Sequence, residues 1–274
     1  MPRRAARRKP PATLPKRPAK RRDSEPARYW EVTQRPLQCL AFLAPMIAAY
    51  ELGMIWLHGS ALHQQRPFLA AQQLLQWFFS LFGVTGYYLP GAALIAVLLF
   101  WHLASRHPWK VEGWPLGGMA GESVLLAIPL LLLNDWIPGL AARSAFAMAG
   151  SPSGTVLLQA SGNSASQLDD LLLSVGAGLY EELVFRLMII SLLTLLITDV
   201  GRVRQSIGVA SAVIVSSLLF AAHHYSPIGA EEFTTGGFAF RSAAGGYLAG
   251  VYVLRGFGLA VGCHVVYDVM AFLI

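Results

Sequence analysis

Long apolar runs separated by short polar punctuation set the pattern of this chain. Leu37–Leu57 is the first run, broken only by Glu51, and at about 20 residues it can cross a hydrocarbon layer as a helix. Tyr87–Leu103 and Gly118–Leu133 repeat the pattern, and the unbroken stretch Leu168–Val200 exceeds it. Residues 206–224, Gly237–Leu254 and Gly256–Ile274 complete the set, the last two joined at Arg255-Gly256. Residues 58–67 predict a polar turn, and "FLAAQQLLQWFFSLFG" (68–83) places three glutamines among aromatic residues. That mixture predicts an interfacial or re-entrant helix. Residues 138–168, rich in Gly, Ser and Ala, predict a long, loosely ordered loop. Gly246 and Gly250, four apart, predict close approach between helices. The fold expected is all-α: a polytopic transmembrane helical bundle of about seven spans plus one interfacial or re-entrant helix. Three regions follow: a tail at 1–28, N-terminal spans at 29–167, and a polar-bearing bundle at 168–274.

Composition strengthens this reading. The chain is 55% hydrophobic and 13% charged, where soluble domains carry about 25% charged residues. Mean hydropathy is +0.50. The chain therefore reads as an integral membrane protein. Its net charge of +6 conceals an asymmetry, because residues 1–28 hold eleven Lys/Arg against Asp23 and Glu25. With nothing after it but membrane spans, this Pro-rich segment reads as a disordered tail. It would touch anionic lipid head groups rather than nucleic acid. Cys39 and Cys263 each sit in an apolar run, with no metal or disulfide spacing.

Basic residues also set orientation. With the tail cytosolic, seven spans put Arg106, Lys110, Arg202, Arg204 and Arg255 in cytosolic turns, as the positive-inside tendency favours. Arg66, Arg143, Arg241, Glu231 and Glu232 fall on the far side. A full span at 68–83 would invert everything downstream.

Ionisable residues interrupt the apolar runs at three places. "LYEELVFRLMII" (179–190) carries Glu181, Glu182 and Arg186. Each charge costs roughly 2.5–3.5 kcal/mol at a membrane helix centre. Glu182 and Arg186 are four apart, share a face and can pair, which leaves Glu181 available. In "LLFAAHHYSP" (218–227), Phe220 and His224 share a face and helical spacing sends His223 elsewhere. In "GLAVGCHVVYDVM" (258–270), Asp268 can accept from one nitrogen of His264 and fix its tautomer. Together the three sets could activate water and stabilise an oxyanion. They could equally bind zinc through Glu181, His224 and His264. They could also serve ion or proton movement, or lock a non-proteolytic scaffold.

The ordered trio Glu181-Glu182-x-x-x-Arg186, Phe220-x-x-x-His224 and His264-x-x-x-Asp268 resembles the motifs of a known family. That family is the CAAX-prenyl endopeptidases and bacteriocin-processing proteins, glutamic-type intramembrane proteases, and the resemblance covers roughly 168–274. It implies an intramembrane endopeptidase acting on a membrane-anchored or lipid-modified protein, without a cofactor. The compact Arg/Ala/Gly-rich composition reads as bacterial, which points to the cytoplasmic membrane. A substrate losing a C-terminal sorting segment suits a site open to the far side, whereas prenylated substrates are cytosolic. By the resemblance, Glu181 is the general base, His224 assists, and His264 with Asp268 shapes the oxyanion site. Glu182 and Arg186 organise the helix. A non-proteolytic immunity protein is the alternative. Many members have Asn in place of Asp268. Asn donates a hydrogen bond where an ionised Asp cannot, so Asp268 is expected to orient His264.

Overall fold

The computed structural model describes residues 28–58, 69–86, 88–145, 164–229 and 231–273. Seven long helical rods fall on the seven apolar runs, and no strand occurs among the described residues. After a single turn, α1 (Tyr29–Thr33), the rods begin with α2 (Pro36–His58), whose Pro36 sits where a helix lacks intrahelical N–H partners. The short α3 (Ala70–Ser80) precedes α4 (Leu89–Ser105) and α5 (Gly113–Ala145). The next rod starts as α6 (Ser164–Glu182), loosens into a π-helical stretch, π1 (Leu183–Ile190), and ends through α7 (Ser191–Thr194) and π2 (Leu195–Val200). Helices α8 (Gln205–Ala222), α9 (Thr235–Arg255) and α10 (Phe257–Leu273) follow.

Four of these segments are long and apolar enough to cross a membrane: Pro36–Leu57, Gly113–Trp136, Gln167–Val200 and Gln205–Ala222. Helices α4 and α10 are shorter apolar helices. The chain is an integral membrane protein with an all-α bundle. Its apolar exterior is what a lipid solvent requires: Leu125, Leu132, Ile214 and Leu254 are all exposed. Exposed Trp114 and Trp136 lie on one helix, 22 positions apart and so about 33 Å, close to the thickness of a hydrocarbon layer.

At the centre stands α10, buried continuously from Phe257 to Val265 and packed against α2, α5, α6 and α9. It begins directly after α9 because Gly256 adopts φ 93°, a backbone region open chiefly to glycine.

Two expectations need correction. Residues 138–145 and 164–168 are helical, not loop. "LAARSA" (140–145) is rich in good helix formers, so α5 continues past Gly139. The remainder of that loop (146–163), the basic tail (1–27) and most of the 58–67 turn lie outside the described residues. Close approach also falls elsewhere than at Gly246 and Gly250. A Cβ at Gly250 would meet nothing within 4 Å, and one at Gly246 only Ser217 at 3.8 Å. Gly245 is the tight position, 3.0 Å from Phe220 and 3.2 Å from the Ser217 backbone.

Hydrogen bonds settle which loops share an end of the bundle. Gln38 at the start of α2 bonds both backbone groups of Glu112, just before α5, at 2.8 and 3.0 Å. Gln34 donates to the Leu254 carbonyl at 3.1 Å. Glu122 takes both Arg255, at 2.5 and 2.8 Å, and Tyr29, at 2.8 Å. The start of α2, the α4–α5 turn and the α9–α10 turn therefore lie together. Helices α2 and α4 then run in opposite directions, and α3, at 11 residues or about 16 Å, does not cross between them.

Candidate active site

The glutamates sit where α6 passes into π1. A π turn widens the helix and leaves backbone carbonyls without their ordinary partners. The Phe185 carbonyl within π1 accepts from Ser216 Oγ of α8 at 2.7 Å, which fastens this irregular stretch to the neighbouring helix. From here Glu181, Glu182 and Arg186 all point inward, each almost wholly buried.

Glu182 is the structural member of the pair. Its Oε2 meets Arg186 Nε at 3.1 Å and its Oε1 accepts from His264 Nδ1 at 2.8 Å. Arg186 in turn reaches the Gly245 carbonyl at 3.3 Å and lies 4.3 Å over the Phe220 ring. One carboxylate thus links α6 to α10, and one guanidinium links π1 to α8 and α9. His264 is oriented chiefly by Glu182, not by Asp268 as the i, i+4 spacing predicted. Asp268 Oδ2 stands 3.4 Å from the other ring nitrogen, Nε2. The spacing argument considered one helix, and the nearer carboxylate comes from another.

Glu181 faces the space between the histidines. Its Oε2 is 3.8 Å from His264 Nε2, and its Oε1 is 3.4 Å from His223 Nε2. The expectation that His223 points elsewhere fails. His223 caps α8 with helical dihedrals and still bonds the Leu219 carbonyl, and the chain turns away at His224, so the 100° step per residue fails between the two histidines. Nδ1 of His223 and Nδ1 of His224 each contact the Phe220 carbonyl, at 2.6 and 2.8 Å. A carbonyl can only accept, so each Nδ1 carries its proton. Each Nε2 is then left as an acceptor unless its ring is doubly protonated. Ligand atoms of Glu181, His223 and His224 lie within 4.8 Å of one another and could hold a cation. The zinc set read from the sequence had His264 in place of His223.

Phe220 is the hub rather than an edge. Its ring contacts His223, His224 and His264 at centroid distances of 5.6, 5.2 and 5.9 Å, and Phe185 edge-on at 5.5 Å. His224 and Asp268 are only partly buried, so the site is most open on their side.

Several groups around the site escaped the sequence reading. Tyr180, next to Glu181, donates to Glu51 of α2 at 2.5 Å, which explains the acidic residue in the first span. The loop after His224 is drawn in by Arg241 of α9, which bonds Glu231 at 2.5 Å and the Tyr225 hydroxyl at 3.1 Å. Burial lifts the Glu231 carboxyl above its usual range, against the pull of Arg241. An ionisable residue inside or beside an apolar run was the available signal, but no spacing connects positions so far apart in sequence.

The residues that build this site coincide with a match to a known family. Residues 166–270 match the family described as type II CAAX prenyl endopeptidase Rce1-like. That segment is similar to the CAAX prenyl endopeptidases. It contains every motif residue, from Glu181 to Asp268, and a little over a third of the chain. No curated protein and no solved structure matches the chain significantly. The match, with the long apolar helices, likens residues 166–270 to a protease of the membrane.

Proposed function

We propose that the chain is a glutamic-type intramembrane endopeptidase, in which Glu181 activates water held among His223, His224 and His264. One observation carries this: a buried carboxylate facing two imidazole nitrogens, at 3.4 and 3.8 Å. Glu181 and the His223 Nε2 are both acceptors, and at 3.4 Å they need a shared proton, a water or a cation to join them. A water there is polarised towards Glu181 and lies at the partly open side of the site.

In the forward step Glu181 takes a proton from water as its oxygen attacks the scissile carbonyl carbon. The carbonyl π electrons move onto oxygen. His264, in its doubly protonated form, donates to that oxyanion from Nε2 while Glu182 holds Nδ1. Collapse of the intermediate breaks the C–N bond, and the proton on Glu181 passes to the leaving nitrogen. Preorganised donors of this kind supply a large share of the acceleration in acyl transfer. Asp268, 3.4 Å from the same Nε2, stabilises the charged imidazolium and yields that N–H to the oxyanion.

Orientation and substrate follow from charge. With the basic tail and the Arg106, Lys110 and Arg255 end cytosolic, the loop at 223–234 rims the site at the opposite face. A bacterial cytoplasmic-membrane enzyme that removes a C-terminal sorting or anchor segment from an exported protein fits this placement. The test compares membrane-protein fragments from cells carrying wild type and Glu181→Gln. A fragment present only with wild type gives the activity, substrate and cut site, and identical fragment sets remove the proteolytic reading.

The Glu181, His223 and His224 cluster also supports a second reading, zinc-assisted hydrolysis of the same bond. Chelation and elemental analysis separate the two. About one zinc per chain, lost together with activity and restored with it, selects the metal mechanism.

A further inference from the structure

We infer that Arg241 and Glu231 form a positioning clamp that holds His223 and His224 in register with Glu181. The inference rests on the proposed role of those histidines. Neither residue belongs to the three motifs.

Continuity of contacts carries the inference. Helix α8 ends at Ala222, so the two histidines have no helical backbone on their C-terminal side to fix them. The loop supplies that support by folding back. The Glu231 amide donates to the His224 carbonyl at 3.2 Å, and the Ser226 amide donates to the Glu231 carbonyl at 3.0 Å. Gly229 lies so close to the His223 and His224 carbonyls that a Cβ there would collide with both. The backbone of Glu231 is therefore a partner of the catalytic turn itself.

What holds Glu231 is Arg241, from a different rod. Its guanidinium binds the Glu231 carboxylate at 2.5 Å and the Tyr225 hydroxyl at 3.1 Å, and lies 5.4 Å from the Tyr225 ring centroid. Tyr225 is buried and directly follows His224. Arg241 thus grips the loop at both ends of the seven-residue segment 225–231. It sits one helical turn before Gly245, the residue that receives Arg186. Two arginines, one from π1 and one from α9, therefore meet on α9 and fix the two halves of the site against a common support. The Arg241–Glu231 pair is mostly but not wholly buried, at 17% and 19% side-chain exposure. It can therefore be exchanged in sign without burying an unpaired charge.

Arg241→Gln should lower kcat at least about tenfold with KM nearly unchanged, because a small misplacement of a catalytic group costs rate more than binding. The exchange Glu231→Arg with Arg241→Glu should recover most of that loss. A second readout does not need turnover: modification of His223 and His224 by diethyl pyrocarbonate, followed by peptide mass spectrometry. It should rise several-fold in Arg241→Gln and fall back in the exchanged protein. If Arg241→Gln fails to accumulate, Glu231→Gln keeps the shape and removes only the charge. Unchanged kcat with unchanged histidine reactivity overturns the clamp, as does an exchanged protein no better than the single variants. A wild type that cleaves nothing while the histidine reactivities still follow this pattern overturns the proteolytic reading and leaves the clamp standing.

Discussion

At the residue scale, chemistry and support are divided between adjacent glutamates. Glu182 touches Arg186 and His264, whereas Glu181, among the described residues, faces the imidazoles of His223 and His264. Glu182→Gln should therefore act first on stability. It leaves Arg186, at 1% exposure, without its charged partner. Breaking a buried pair on one side costs roughly 3–5 kcal/mol. Thermal unfolding in detergent should show the loss, and Glu182→Gln with Arg186→Met should recover part of it. His223 gives the opposite kind of prediction. Helical spacing makes it dispensable, but the turn brings its Nε2 to 3.4 Å from Glu181. His223→Ala should lower kcat by about 10²-fold, comparable to His224→Ala, as misplacement of the attacking water does. A His223→Ala enzyme with normal kcat would return the site to the arrangement read from spacing alone. Asp268→Asn should keep kcat within about tenfold of wild type, because Glu182 rather than Asp268 binds Nδ1 and orients the His264 ring.

At the element scale, the rods were legible because an apolar run of about 20 residues has few other fates in a membrane protein. What escaped is whatever depends on two segments meeting. No local pattern announces π1, since "LVFRLMII" reads as ordinary helix, and its hold on Ser216 spans two rods. Small-residue spacing pointed to Gly246 and Gly250, and the packed surface chose Gly245, because rotation of α9 about its axis is set by the Arg186 and Phe220 contacts. This last point is testable. In Gly245→Ala the new methyl would meet the Phe220 ring and the Ser217 backbone. The backbone contact cannot yield as a flexible side chain could, so α8 and α9 must separate. An overpacking penalty of about 1–3 kcal/mol is expected, with a loss of kcat as Phe220 carries the histidines along. Gly250→Ala, with open space around it, should change neither unfolding temperature nor kcat.

At the scale of the whole molecule, the deciding question is which side of the membrane the site faces. The sequence left this hanging on whether residues 68–83 cross the membrane. Because Gln38 bonds the backbone of Glu112, α2 and α4 form an antiparallel pair and α3 adds no crossing. Lys110 and Arg255 then share one end of the bundle, and Glu232, in the loop that carries the His223 turn, lies at the other. Single cysteines at these positions read the arrangement directly, since native Cys39 and Cys263 are both buried and stay silent to a polar maleimide. Lys110→Cys should label only after the cytosolic face is exposed, and Glu232→Cys should label from outside in intact cells. Labelling of both from one side would contradict the three crossings between them, α5, the α6–π2 rod and α8. The reverse pattern, with Glu232→Cys protected in intact cells, would turn the rim of the site towards the cytosol. In that case prenylated or other cytosolic membrane-tethered proteins become the substrates to assay, and exported sorting segments fall away, with the internal geometry of Glu181 and its histidines unchanged.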